Sequence, residues 1–162
     1  MTLDLEHTGT RNNYCSLVIF DLDRTLHNAV DEDDIVFERL GKDVRHILNL
    51  CKQKNIKIAL ASLNTNASFF LKKFNIYHYF DCIQVKSWTL HGKDKTDLFY
   101  NISKKLNIPF ENMLFFDDNN SHINEARRLN IKTITVNESY LLTIKNFRDG
   151  LKLFKTKNYK HL

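Results

Sequence analysis

Two carboxylates stand two residues apart in Asp21-Leu22-Asp23-Arg24-Thr25, directly after the apolar run Leu17-Val18-Ile19-Phe20. Four consecutive apolar residues, two of them β-branched, predict a strand buried on both faces. Asp21 and Asp23 then fall where that strand ends, and open parallel α/β sheets bind ligands outside the carboxyl ends of their strands. Adjacent carboxylates repel unless a cation holds them or one takes a proton. A second apolar run, Met113 to Phe116, also closes in acids, Asp117-Asp118. These residue types suit phosphoryl transfer. One carboxylate can attack phosphorus and form an aspartyl-phosphate. A carboxyl two residues away can protonate the leaving oxygen and then activate water. Magnesium takes oxygen ligands, and one or two carboxylates plus a substrate phosphate suit it. It would offset the repulsion between Asp21, Asp117 and a phosphate dianion. A hydroxyl (Ser62) and an ammonium (Lys95) would stabilise the equatorial phosphate oxygens.

Alternating strands and helices must bring these groups together. Strands are expected at Leu17–Asp21, Ile56–Ser62, Cys82–Val85, Met113–Asp117 and Thr133–Val136. Apolar residues at helical spacing predict helices over about 36–53, around Ala67 to Phe74, from Leu98 to Leu106, and around Ile123 to Leu129. A last helix is expected over about 138–150. This order predicts a doubly wound, Rossmann-like α/β fold: a parallel five-stranded sheet with helices on both faces. The strand ends then share one edge, where Asp21, Asp23, Ser62, Lys95, Asp117 and Asp118 converge.

Composition fits a single domain over 14–150, with a flexible N-terminus over 1–13 and a basic C-terminal tail over 151–162. Hydrophobic residues make up 43% and charged residues 27% of 162 residues, a globular balance. No apolar run reaches the roughly 18 residues a membrane span requires, and residues 1–13 lack a secretory apolar core. Three cysteines without metal-like spacing fit a reducing, cytoplasmic or nuclear setting. The net charge of +5 favours polyanionic partners, but it supports nucleic acid only weakly, because a solvated basic tail accounts for part of it. Oligomeric state is open.

Phe20-Asp21-Leu22-Asp23-Arg24-Thr25-Leu26 resembles the first motif, DxDxT, of the haloacid dehalogenase (HAD) superfamily. Ser62 after an apolar strand is similar to the second motif, Lys95 to the third, and Asp117-Asp118 to the fourth. Leu114 to Asn120 and Asn107-Ile108-Pro109-Phe110 look most like the capless, magnesium-dependent phosphatase branch. The resemblance implies an HAD-like fold without a cap domain and a phosphoric monoester hydrolase. It implies Asp21 as nucleophile and metal ligand. Asp23 would be the general acid/base, with its main-chain carbonyl on magnesium, and Thr25 would brace the turn. Ser62 and Lys95 would hold the phosphoryl group. Asp117 would bind magnesium, assisted by Asp118. Leu63-Asn64 departs from the Arg-Thr that follows the serine in animal members of the branch, which touches substrate placement rather than the core chemistry.

Other signals read more plainly. Arg24 reads as a surface or ion-pairing arginine, Trp88 and His91 as loop residues, and His27 and His122 as loop or cap residues beside the motifs. Asp31 to Asp34 reads as a solvated turn that would repel acidic substrates. Position in the chain favours Lys95 over Lys93. The expected substrate is a phosphorylated protein side chain or small molecule. The alternatives are a polymerase-tail-like protein-serine phosphatase, a nucleic-acid-end phosphatase, and a non-catalytic phospho-binding module. The order Asp, Ser, Lys, Asp-Asp argues against a receiver domain.

Overall fold

The computed structural model describes residues 14–87 and 94–154. Five strands, β1 (Leu17–Phe20), β2 (Lys57–Ser62), β3 (Cys82–Val85), β4 (Met113–Asp117) and β5 (Lys132–Thr135), form one sheet in the order β3-β2-β1-β4-β5. Every neighbouring pair is parallel. The helices are α1 (Val44–Gln53), α2 (Ala67–Lys73), α3 (Thr96–Leu106), α4 (Asn120–Arg128) and α5 (Ile144–Leu151). This is the expected doubly wound sheet. The described part of the connection from β1 to β2 holds two 3-10 turns and α1, with no separate folded layer that could act as a cap.

Strand alternation divides the core in two. Val18 and Phe20 of β1 face α1, α2 and α5 through Leu48, Phe70 and Phe147. Leu17 and Ile19 face α3 and α4 through Phe99 and Ala126. The sheet is therefore buried on both sides, as its continuous apolar strands require. Register then sets the site. Phe20 pairs with Phe116, so Asp21 and Asp117 emerge side by side. The Asp21 N–H donates to the Phe116 carbonyl at 3.0 Å. The order in which strands are added reverses between β1 and β4, since β2 and β3 lie on one side and β5 on the other. That switch point opens the crevice in which such sheets bind ligands.

Two helix boundaries differ from expectation, for one reason. The helix expected over 36–53 begins only at Val44, after a 3-10 turn at Phe37–Arg39. Residues 39–41 instead pair with the segment that follows Asp23. The Asn28 N–H donates to the Arg39 carbonyl at 2.9 Å, and the Gly41 N–H to the Leu26 carbonyl at 2.8 Å. The helix expected over 138–150 begins only at Ile144, behind a Thr143–Asn146 capping box. Before it, the Leu142 N–H donates to the Thr25 carbonyl at 2.8 Å. Both segments give up helix to hold the turn after β1, so tertiary pairing overrides helical propensity. Packing also continues past residue 150, with Leu151 and Phe154 buried.

The three cysteines are free and buried. Among the described residues, no helix is long and apolar enough to cross a membrane. Trp88, His91 and Lys93, residues 1–13 and the tail lysines 155, 157 and 160 lie outside the described residues.

Gly150 lets α5 lie close against β4. A Cβ there would sit 2.7 Å from Leu114 Cδ2 and 3.2 Å from Phe116 Cζ. Both neighbours are fully buried in the strand that carries Asp117. Gly150→Val should therefore lower stability by about 1–3 kcal/mol through overpacking. In urea unfolding this is read as a lower midpoint at an unchanged slope.

Candidate active site

The turn after β1 starts with Arg24 in the left-handed region, at φ 63°. Only a few per cent of residues other than glycine adopt such a conformation, and here it folds the chain back sharply. The Arg24 N–H donates to the His27 carbonyl at 2.9 Å, and the Leu26 N–H to the Leu22 carbonyl at 2.9 Å. Thr25 is buried beneath the turn, and its hydroxyl donates to Asp21 Oδ2 at 3.0 Å. Asp21 and Asp23 are thereby held at the mouth of a cavity of about 430 Å³. Lys95, Asp117, Asp118, Asn64 and Arg24 line the same space.

Lys95 is fully buried at the N-terminus of α3. Its N–H donates to Glu125 of α4 at 2.5 Å, which fixes the main chain there. Its Nζ donates to Asp21 Oδ1 at 2.7 Å and to Asp117 Oδ2 at 2.9 Å. Burial works against its charge, but Asp21 and Asp117 outweigh burial and hold the Lys95 pKa above its ordinary value.

Ligand atoms of Asp21, Asp117 and Asp118 all lie within 4.8 Å of one another. Burial, only partly relieved by Lys95 and reinforced by Asp117 and Asp118, pushes the Asp21 carboxyl up to about 8. Asp117 moves the other way. Burial opposes its ionisation, but the His122 hydrogen bond and Lys95 outweigh this and hold it below the usual carboxylate range. His122 Nδ1 lies 3.1 Å from Asp117 Oδ2. Once Asp21 gives up its proton, three carboxylates against one lysine leave a negative excess that a divalent cation matches. An all-oxygen set of this size fits magnesium, which needs only one or two carboxylates beside substrate phosphate and water.

Asp23 stands apart from that trio. His27 Nε2 is 2.9 Å from its Oδ1, and the Asn64 amide donates to Oδ1 at 3.4 Å and to Oδ2 at 3.3 Å. Burial raises its pKa, but the bonds from His27 and Asn64 and the charge of Arg24 outweigh burial, so the net shift is downward. Ser62 is buried at the end of β2, where its Oγ accepts from the Asn64 N–H at 3.0 Å. Leu63 and Asn64, rather than Ser62, form the cavity wall.

Of the six residues expected at this edge, Asp21, Asp23, Lys95, Asp117 and Asp118 line the cavity, and Ser62 lies at the end of β2 outside its lining. Sequence reasoning missed the work of Asn64, His27 and His122. In the sequence, Asn64 stands out only as a departure from a motif. The two histidines lie four and five residues beyond Asp23 and Asp117, a spacing that turns into contact only once the loops fold back.

An acid phosphatase family model matches residues 27–157. The chain belongs to the acid phosphatase family. It is 27% identical to the human magnesium-dependent phosphatase 1 over 158 aligned positions, covering 85% of this chain and 86% of that protein. It is 28% identical over 109 positions to a Thermotoga maritima phosphatase of phosphorylated carbohydrates, covering 64% of this chain. This chain spans only 50% of the length of that protein. A haloacid dehalogenase-like hydrolase from Streptococcus pneumoniae shares the fold, with a TM-score of 0.62 at 12% identity over 90% of this chain and 91% of that one. This acid phosphatase family member thus has an HAD-like α/β fold and an acidic, magnesium-compatible centre.

Two outcomes follow from the charges. Magnesium should raise the Tm of the native protein by binding the folded form, and Asp117→Asn should remove most of that rise. Without metal, the raised Asp21 carboxyl favours the folded state fully below its unfolded value of about 4, and that contribution is lost as pH rises toward 8. Metal-free protein should therefore lose stability across this window, and Asp21→Asn should flatten the loss, as read by urea midpoints at several pH values.

Proposed function

We propose that the protein is a magnesium-dependent phosphomonoester hydrolase that works through an aspartyl-phosphate on Asp21. The observation that carries this reading is Lys95 Nζ joined to both Asp21 and Asp117 beside a third carboxylate. In the first half-reaction an Asp21 carboxylate oxygen attacks phosphorus. The bond to the leaving oxygen breaks, the electron pair stays on that oxygen, and Asp23 supplies its proton. In the second half-reaction Asp23 takes a proton from water as the water oxygen attacks phosphorus. The bond to Asp21 breaks, which returns the carboxylate and inorganic phosphate.

Lys95 stabilises charge on the phosphoryl oxygens, and Ser62 supports them through the loop that carries Asn64. Asp21, Asp117 and Asp118 would hold magnesium, with the Asp23 carbonyl as a further ligand. When bound, the ion offsets repulsion between these acids and the incoming dianion and withdraws charge from the phosphoryl oxygens.

The cavity is open, and its rim favours one class of substrate. Exposed Asp31, Glu32 and Asp33 line a neighbouring cavity that shares Asn64 with the catalytic one. Three acids at the rim repel the backbone of a nucleic acid. This favours phosphorylated protein side chains and small phosphate esters over nucleic-acid ends. Small phosphate esters also fit the phosphorylated carbohydrates named for the Thermotoga relative.

Purified protein should hydrolyse p-nitrophenyl phosphate with magnesium and lose that activity in EDTA. Asp21→Asn should lower kcat at least about 1,000-fold, because a carboxamide cannot form the intermediate. Turnover that persists in EDTA or in Asp21→Asn would contradict the assignment.

A further inference from the structure

His27 has a directional task that packing does not explain. Its ring is fully buried. Nδ1 accepts the Ala29 main-chain N–H at 2.9 Å. A ring nitrogen that accepts presents its lone pair, so the ring proton sits on Nε2. Nε2 then donates to Asp23 Oδ1 at 2.9 Å. The backbone, rather than the carboxylate, thus sets the tautomer. Phe70 and Phe74 flank the ring, with centroids 5.1 and 5.3 Å away, and limit its swing. The loop itself is pinned by the Arg24-to-His27 and Asn28-to-Arg39 main-chain bonds. An apolar side chain would fill the space between two phenylalanines equally well. A ring with both nitrogens bonded, one of them to a cavity-lining carboxylate, orients that carboxylate.

We propose that His27 is a positioning residue for Asp23. Its Nε2–H ties down Oδ1 and fixes the carboxyl plane, so that Oδ2 is presented to the leaving oxygen of the substrate. Among the described residues, Oδ2 carries only the long 3.3 Å contact from Asn64. His27 keeps its own proton throughout, and the transferred proton passes between Asp23 and the leaving oxygen or water. The proposal rests on the reading of Asp23 as the proton-transfer group. Released from the ring, Asp23 could rotate away, and a displacement of about 1 Å can cost on the order of 100-fold in rate.

The test compares two leaving groups. p-Nitrophenolate departs without a proton, whereas the alkoxide from glycerol phosphate needs one. His27→Asn keeps an acceptor for the Ala29 N–H but falls short of Asp23. His27→Gln extends a donor back to Asp23. With magnesium present, His27→Asn should lower kcat on glycerol phosphate about 10- to 100-fold, with KM little changed. Its loss on p-nitrophenyl phosphate should be much smaller, and His27→Gln should restore most of the alkyl-ester rate. Equal losses on both esters, or no recovery with Gln, would overturn the proposal and mark His27 as structural. Nitrogen-15 NMR of native protein gives a check that needs no variant: an Nδ1–H tautomer at His27 would also overturn it. Wild-type turnover of both esters, and selective loss of the alkyl ester in Asp23→Asn, report on Asp23 independently of His27.

Discussion

A buried ammonium held between two buried carboxylates organises this molecule. Lys95 Nζ reaches Asp21 at the end of β1 and Asp117 at the end of β4. Asp117 stays ionised so far from water because Lys95 and His122 pair with it, while Lys95 relieves only part of the cost of ionising Asp21, since unpaired burial of charge is costly. The rest of the fold arranges this meeting. Parallel pairing of Phe20 with Phe116 sets the two acids side by side. Glu125 of α4 fixes the main chain of Lys95. His122, in the first turn of α4, adds a further bond to Asp117. With Asp118 included, the centre still carries more negative charge than Lys95 offsets, and this excess makes magnesium the natural counterion.

The second constraint is the turn after β1. Its unusual backbone at Arg24 is supported from two remote stretches, residues 39–41 and Leu142. Support from both sides keeps Asp21 beside Asp117 and Asp118, and Asp23 beside His27 and Asn64. The proposed division of labour follows from that separation. Asp21 lies among carboxylates and one lysine, whereas Asp23 lies among hydrogen-bond donors. Two acids two residues apart therefore meet opposite electrostatic surroundings.

Much of this was legible in the sequence because it depends on local pattern. Runs of apolar residues ending in Asp marked β1 and β4, and helical spacing marked α2, α3 and α4. What was hidden depends on contact between distant segments. The late starts of α1 and α5 follow from hydrogen bonds to Leu26, Asn28 and Thr25 that no local propensity encodes. Ser62 was legible by its place at the end of β2. Its engagement with the Asn64 N–H, and the passage of the cavity wall to Leu63 and Asn64, depend on how that loop closes. His27 and His122 were visible only as neighbours of motifs, since their partners are set by turn geometry.

The most direct measurement is the chemical fate of phosphate on the enzyme. Protein mixed with a phosphomonoester and magnesium, quenched in acid and mapped by peptide mass spectrometry, should carry a hydroxylamine-labile phosphoryl group on Asp21. That group should be absent when magnesium is withheld. A phosphoryl group on another residue, or its formation at full yield without magnesium, would contradict the account.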